Sequence, residues 1–258
     1  PKTHSLEGCC SIQLSYRTDV IRMGSHVCVH FRVRYVACFP NAAAKIEKYL
    51  ISETFYSYET IFAISLFRIL TVQRGRFMKR MLMIIDPQID FISGSMAVEG
   101  AAEKMDALIK YIEKMDGKYA CKAVTVDWHP FNHCSFGENG GQWPMHCVQH
   151  TVGACIYPPM VEPLYRTAGE VKIFKKGDKK NVEEYSIFRN LTSRRHIDYL
   201  MHRLDIGRID LCGIAGDICV LSTLKGGIET YGAPMFHVLE EFCPSIDGGT
   251  ALHQFLIS

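Results

Sequence analysis

The sequence predicts a three-layer, doubly wound α/β sandwich on a mostly parallel sheet. Three observations predict it. Apolar runs without alternation, such as Met81-Leu82-Met83-Ile84-Ile85, read as strands buried on both faces. Segments with apolar residues at helical spacing alternate with those runs, the order of an α/β chain. The runs also end in Asp86, Asp127 and Lys176, and the carboxyl ends of strands are where open α/β sheets bind ligands.

The elements follow in order. The first strand, 81–85, stops at Asp86. Residues 101–115 place Ala101, Met105, Leu108, Ile109, Ile112 and Met115 on one helical face, with Gly117 as the stop. A second strand, Ala123-Val124-Thr125-Val126, ends in Asp127, and a loop-rich stretch occupies 128–159. A third strand, Val171-Lys172-Ile173-Phe174, leads to Lys176-Gly177. The next helix covers 193–204 and opens on a capping serine, Ser193. The fourth strand, Arg208-Ile209-Asp210-Leu211-Cys212, runs into Gly213-Ile214-Ala215-Gly216. A helix over 218–231, a fifth strand over 235–239 and a last helix over 249–257 complete the pattern. A sixth strand would be natural in such a fold, so a truncated C-terminus is expected.

Composition narrows the classes. Of 258 residues, 48% are hydrophobic and 22% charged, a globular balance and not a disordered one. The longest apolar stretch, 61–70, is broken by Arg68 and falls short of the ~20 residues of a membrane span. The start carries no secretory signal, so a cytoplasmic chain is expected, with its 11 cysteines mostly reduced. Residues 1–80 hold 12 Lys/Arg against five Asp/Glu, but these are scattered, which argues against a nucleic-acid or membrane surface.

The pattern breaks near residue 78. Upstream there is no clean period of 2 or 3.6. One or two helices are expected over 41–70, the best over 42–50. Residues 1–77 read as an extension, upstream of a natural start at Met78 or poorly ordered, with a small accessory domain as the rival reading. Residues 78–258 form the α/β domain.

The chemistry gathers at the strand ends. An Asp, a Lys and a Cys at neighbouring ends can meet in one pocket: Asp86, Lys176 and Cys219. A helix N-terminus and a nearby ammonium lower a thiol's pKa, and Cys219 opens the 218–231 helix. Each alone is as well read as packing or solvated surface. A second set is Asp127-Trp128-His129-Pro130-Phe131-Asn132-His133 followed by Trp143-Pro144-Met145-His146. Asp127 and His129 point the same way on an extended segment. With His133 and His146 they could hold one divalent metal, Zn, Fe or Mn; the rival is a polar loop whose imidazoles bond to backbone. Cys134, Cys147 and Cys155 match no paired thiolate spacing. Phe91 and Trp143 could line a slot for a flat aromatic ligand or fill the core.

These residues resemble a known family. Asp86-Pro87-Gln88-Ile89-Asp90-Phe91 with Gly94-Ser95-Met96-Ala97-Val98 resembles the opening of the isochorismatase-like cysteine hydrolases. Asp127-Trp128-His129-Pro130 with His133 and Ser135-Phe136, and Trp143-Pro144-Met145-His146-Cys147-Val148 with Thr151-Val152-Gly153-Ala154, resemble the metal segments of the nicotinamidase branch. Lys176-Gly177, Glu184-Tyr185-Ser186-Ile187-Phe188 and Gly213-Ile214-Ala215-Gly216-Asp217-Ile218-Cys219-Val220 complete the set. The resemblance spans 81–258, in order. Ile89 replaces the family's usual Asn, and Ile218 stands where many relatives carry a polar or aromatic residue.

The resemblance implies an amide hydrolase, a nicotinamidase that converts nicotinamide to nicotinate and ammonia in NAD salvage; many of this branch also accept pyrazinamide. It implies a triad of Asp86, Lys176 and Cys219, with metal ligands Asp127, His129 and His146. His133 is a further ligand or a near neighbour. It places a cis peptide at Ile214-Ala215, which turns the Ala215 and Cys219 amides toward one point as an oxyanion hole. Lys176 would hold the Asp86–Cys219 pair in its charged form, and Phe91, Trp143 and Tyr185 would line the ring's slot. The partner is a small molecule, with no nucleic acid or membrane; a homo-oligomer stays open. The rivals are another isochorismatase-like hydrolase, acting on a different amide or a vinyl ether, and a binding protein that keeps the fold without turnover.

Overall fold

The computed structural model describes residues 78–258 and, as backbone alone, two strands near the start. These are β1 (Gln13–Met23) and β2 (His26–Val36), an antiparallel hairpin pairing Gln13 with Val36 and Met23 with His26. The hairpin and the sheet below belong to two separate units, divided between Thr71 and Val72. No element was expected over 13–36, yet Val27, Val29, Phe31, Val33 and Tyr35 alternate with other residues at strand period. The helices expected over 41–70 lie outside the described residues.

The second unit carries β3 (Lys79–Ile85), α1 (Ala101–Lys114), β4 (Cys121–Asp127), α2 (Pro158–Arg166) and β5 (Glu170–Lys176), then α3 (Leu191–Leu204), β6 (Ile206–Gly213), α4 (Leu221–Tyr231), β7 (Phe236–Val238) and α5 (Thr250–Ile257). The strands form one parallel sheet in the order β5-β4-β3-β6-β7. β4 is buried along its whole length and β3 from Met81 onward. Each fully buried apolar side chain there contributes about 1.5–3 kcal/mol. That burial requires cover on both faces. α1 packs on α2, while α3 and α4 both pack on a 3₁₀ turn at Ile187–Arg189. The chain winds β3, β4, β5 outward and then returns to place β6 on the other side of β3. The carboxyl ends of β3 and β6 therefore flank the switch point, the usual ligand crevice of such sheets.

Local details differ from the sequence expectation for physical reasons. The cap of α3 is Asn190, whose side-chain oxygen accepts the Ser193 amide at 3.0 Å, so the helix starts before the serine. The chain does not enter α4 directly: a π-helical turn, Gly216–Val220, precedes it. α2 was not among the expected elements, and the loop expected over 128–159 overlaps its start; Pro158 and Pro159 occupy that start, where a missing N–H costs nothing. Among the described residues no helix is long and apolar enough to cross a membrane.

Candidate active site

The ends of β3, β4 and β5 and the turn after β6 bring Asp86, Asp127, Lys176 and Cys219 together. Lys176 has no exposed surface. Its ammonium lies 2.8 Å from Asp86 Oδ2, bonds Asp127 Oδ1 and sits 3.5 Å from Cys219 Sγ. The register of β4 and β5 explains the second contact, because Asp127 and Lys176 are paired neighbours across the ladder. Asp86 takes a left-handed backbone, φ 46°, and its Oδ1 accepts the Thr125 hydroxyl at 2.7 Å. Thr125 was not singled out from sequence, although strand period places it on the face of Asp127, two residues on. Asp86 Oδ2 has the ammonium as ion partner but no aligned donor, so this oxygen is free to take a proton.

The electrostatics follow from burial. Burial works against the Lys176 ammonium, but Asp127, Asp86 and Cys219 hold its pKa well above the usual lysine range. Burial pushes the Asp86 carboxyl up, with Lys176 pulling it back. Burial also pushes the Cys219 thiol well above its ordinary range; Lys176 opposes this, while Asp86 and Asp127 add to it. Burial is the largest of these effects on the thiol, and the Lys176 ammonium is the main one working against it.

Asp127, His129 and His146 offer ligand atoms that lie within 4.8 Å of one another. The two imidazoles are oriented by backbone: His129 Nδ1 bonds the Gly177 carbonyl at 3.0 Å and His146 Nδ1 bonds the Pro144 carbonyl at 2.7 Å. Each therefore donates from Nδ1 and keeps Nε2 as a lone pair, the arrangement that fixes metal-binding histidines. His129 Nε2 is 3.7 Å from Asp127 Oδ2. One carboxylate and two imidazoles, all buried, fit a divalent cation. Gly177 permits the approach: its φ is +63°, and a side chain there would meet the His129 ring at 2.4 Å. The chain behind it is tied down, since Glu184 accepts the Gly177 amide and bonds Asn190, the α3 cap.

His133, expected as a further ligand or a near neighbour, is not in that group of three. Its Nδ1 accepts from Ser135, and its Nε2 bonds the Val182 carbonyl at 3.0 Å. With both nitrogens engaged it stacks on His129 at 4.1 Å and acts as packing. Phe136 meets all three imidazoles edge-on.

Phe91, Trp143 and Tyr185 line one cavity with Cys219, Ala215, Asp127 and His146. Trp143 Nε1 donates to the Tyr185 hydroxyl at 3.0 Å, and the Phe91 ring lies 5.5 Å from that of His146. Sequence reasoning missed Met96, Val98, Glu183 and Ile246 in the same wall; they come from loops whose folding no local pattern reveals. The peptide Ile214-Ala215 is cis, and the Ala215 amide has no backbone acceptor among the described residues. A larger open groove of about 760 Å³ along β5 and α3 carries none of the triad or metal-set residues.

No family model matches the chain. The nicotinamidase of Acinetobacter baylyi is 32% identical over 197 residues, which cover 67% of this chain and 85% of that protein. The chain belongs to the nicotinamidase family. Solved structures agree with this. Pyrazinamidase of Pyrococcus horikoshii, in complex with zinc, superposes with a TM-score of 0.58 at 30% identity, covering 69% of this chain and 95% of that one. PnC1 from L. infantum, in complex with nicotinate, gives 0.59 at 28%, covering 69% and 88%. Like other nicotinamidases, the chain is a hydrolase acting on an amide.

Proposed function

We propose that the chain hydrolyses nicotinamide to nicotinate and ammonia through a thioester on Cys219. The observation that carries this reading is the buried cluster of Cys219, Asp86 and Lys176 opening into a slot beside Asp127, His129 and His146. Asp86 takes the thiol proton as sulfur attacks the carboxamide carbon. The oxyanion is held by the Ala215 and Cys219 amides, each such donor contributing about 10²–10³ in rate. Asp86 then passes its proton to the amine nitrogen, the C–N bond breaks and ammonia leaves. Water enters; Asp86 takes its proton while the oxygen adds to the thioester carbon. The C–S bond breaks, the thiolate regains the proton from Asp86, and the released acid gives its own proton to water to become nicotinate. Lys176 favours the ionised form of Asp86 before each proton transfer and holds the carboxyl in place.

Asp127, His129 and His146 would hold the metal; zinc, iron or manganese suits this donor set, and the Pyrococcus structure makes zinc the first to test. When bound, the ion supplies a Lewis-acid anchor for a ring nitrogen. Phe91, Trp143 and Tyr185 would hold the ring flat so that the amide faces Cys219. Ammonia release from nicotinamide, measured for wild type beside Cys219→Ala with metal content recorded, tests the reading. Turnover lost in the variant is expected; a folded, metal-loaded wild type that releases no ammonia overturns it.

A further inference from the structure

Asp90 belongs to none of the groups above, yet its carboxylate joins two loops of the site. Oδ2 accepts the Cys147 amide at 2.7 Å and Oδ1 the Ser95 amide at 3.3 Å. Cys147 directly follows the metal-set residue His146 and holds a left-handed backbone, φ 46°, a conformation that persists only where its surroundings impose it. It is held from both sides, because its carbonyl accepts the His129 amide at 3.0 Å. The Asp90 amide donates to Gly153 and its carbonyl accepts from Met96, each at 3.0 Å. Side chains are excluded around it: a Cβ on Gly153 would lie 2.1 Å from Asp90 Oδ2, and one on Gly94 2.3 Å from Oδ1. The neighbouring Phe91 and Met96 line the slot. We infer that Asp90 is a positioning residue that sets the His146 imidazole for the metal and ties that setting to the slot wall. An ionised carboxylate suits the task, since charge-assisted bonds to two amides are stronger than neutral ones. The inference rests on the metal reading of Asp127, His129 and His146.

The test is metal affinity, read on the full chain by competition of Zn²⁺ with a chromophoric chelator. Groups that orient metal ligands typically carry about 10–100-fold in affinity. Asp90→Ala is expected to raise the zinc Kd about tenfold or more, with kcat recovering at saturating zinc. Asp90→Asn keeps one oxygen for Cys147 and is expected to raise it less, by at least about threefold. Gly153→Ala, which leaves the carboxylate in place but crowds it, is expected to weaken zinc as well. If Asp90→Ala does not fold, Asp90→Asn and Gly153→Ala decide. Folded variants with zinc Kd values within about threefold of wild type, or a depressed kcat with unchanged zinc affinity, overturn the inference. Ammonia release by the wild type is scored separately, so a failure of the nicotinamide reading is told apart from a failure here.

Discussion

The Lys176 ammonium stands 2.8 Å from Asp86 Oδ2 and also bonds Asp127 Oδ1, with Lys176 and Asp86 closed to water. One cation thus serves two buried carboxylates. Removing one partner of a buried charged set leaves the others uncompensated, at a cost of about 3–5 kcal/mol. Lys176→Met is expected to lose about that much stability in urea unfolding of the metal-free protein, and to lose ammonia release. A variant as stable as wild type would show that water reaches the two carboxylates.

Gly177 links the triad to the metal set. It follows Lys176, its carbonyl orients His129, and a Cβ would strike the His129 ring at 2.4 Å. Gly177→Ala combines a left-handed backbone with that overlap, and strain of this kind costs about 1–3 kcal/mol. The variant is expected to unfold at lower urea and to bind zinc more weakly than wild type. Unchanged zinc affinity would mean that His129 can retreat without losing its orientation.

The parallel sheet and its polar strand ends were legible because a buried parallel strand is a continuous apolar run and a ligand-binding residue must interrupt it. Asp86 and Asp127 are such interruptions, while Lys176 ends the half-exposed edge strand β5. What the sequence could not settle is which imidazoles face the metal. That choice is made by partners such as the Val182 carbonyl, which takes His133 out of the set from 49 positions away. Thr125 was hidden inside an apolar strand, and Asp90 acts through backbone amides that leave no trace in composition.

Cys219 and Asp86 are tied by opposite effects of one substitution. Asp86 raises the thiol pKa and is also the proposed base. Asp86→Asn removes that charge, so the thiol pKa falls toward its ordinary range. Each unit of fall raises the thiolate population about tenfold at pH 7. Peptide-level mass spectrometry should find Cys219 in the variant alkylated faster by iodoacetamide than in wild type at the same pH. Ammonia release should drop by about 10²–10⁴-fold, the usual worth of a general base. Slower labelling in the variant would contradict the charge assignment.

Asp210, in the middle of β6, gives the fold its own acid sensitivity. It is fully buried and accepts from Arg208 Nε at 2.7 Å and the Tyr119 hydroxyl at 2.8 Å, with Arg80 as a third donor. Burial alone would raise its pKa, but the bonds from Arg208, Tyr119 and Arg80 outweigh that and hold it below the usual carboxylate range. A carboxyl depressed in the folded state stabilises the fold above its unfolded pKa, about 3.9, and that contribution is lost as pH falls through the folded value. Urea stability should therefore fall between about pH 5 and pH 2. Asp210→Asn should cost about 1–3 kcal/mol near pH 7, with the gap to wild type narrowing as acid protonates the native carboxyl. A gap that stays constant from pH 7 to pH 3 would place the acid-sensitive charge on another residue.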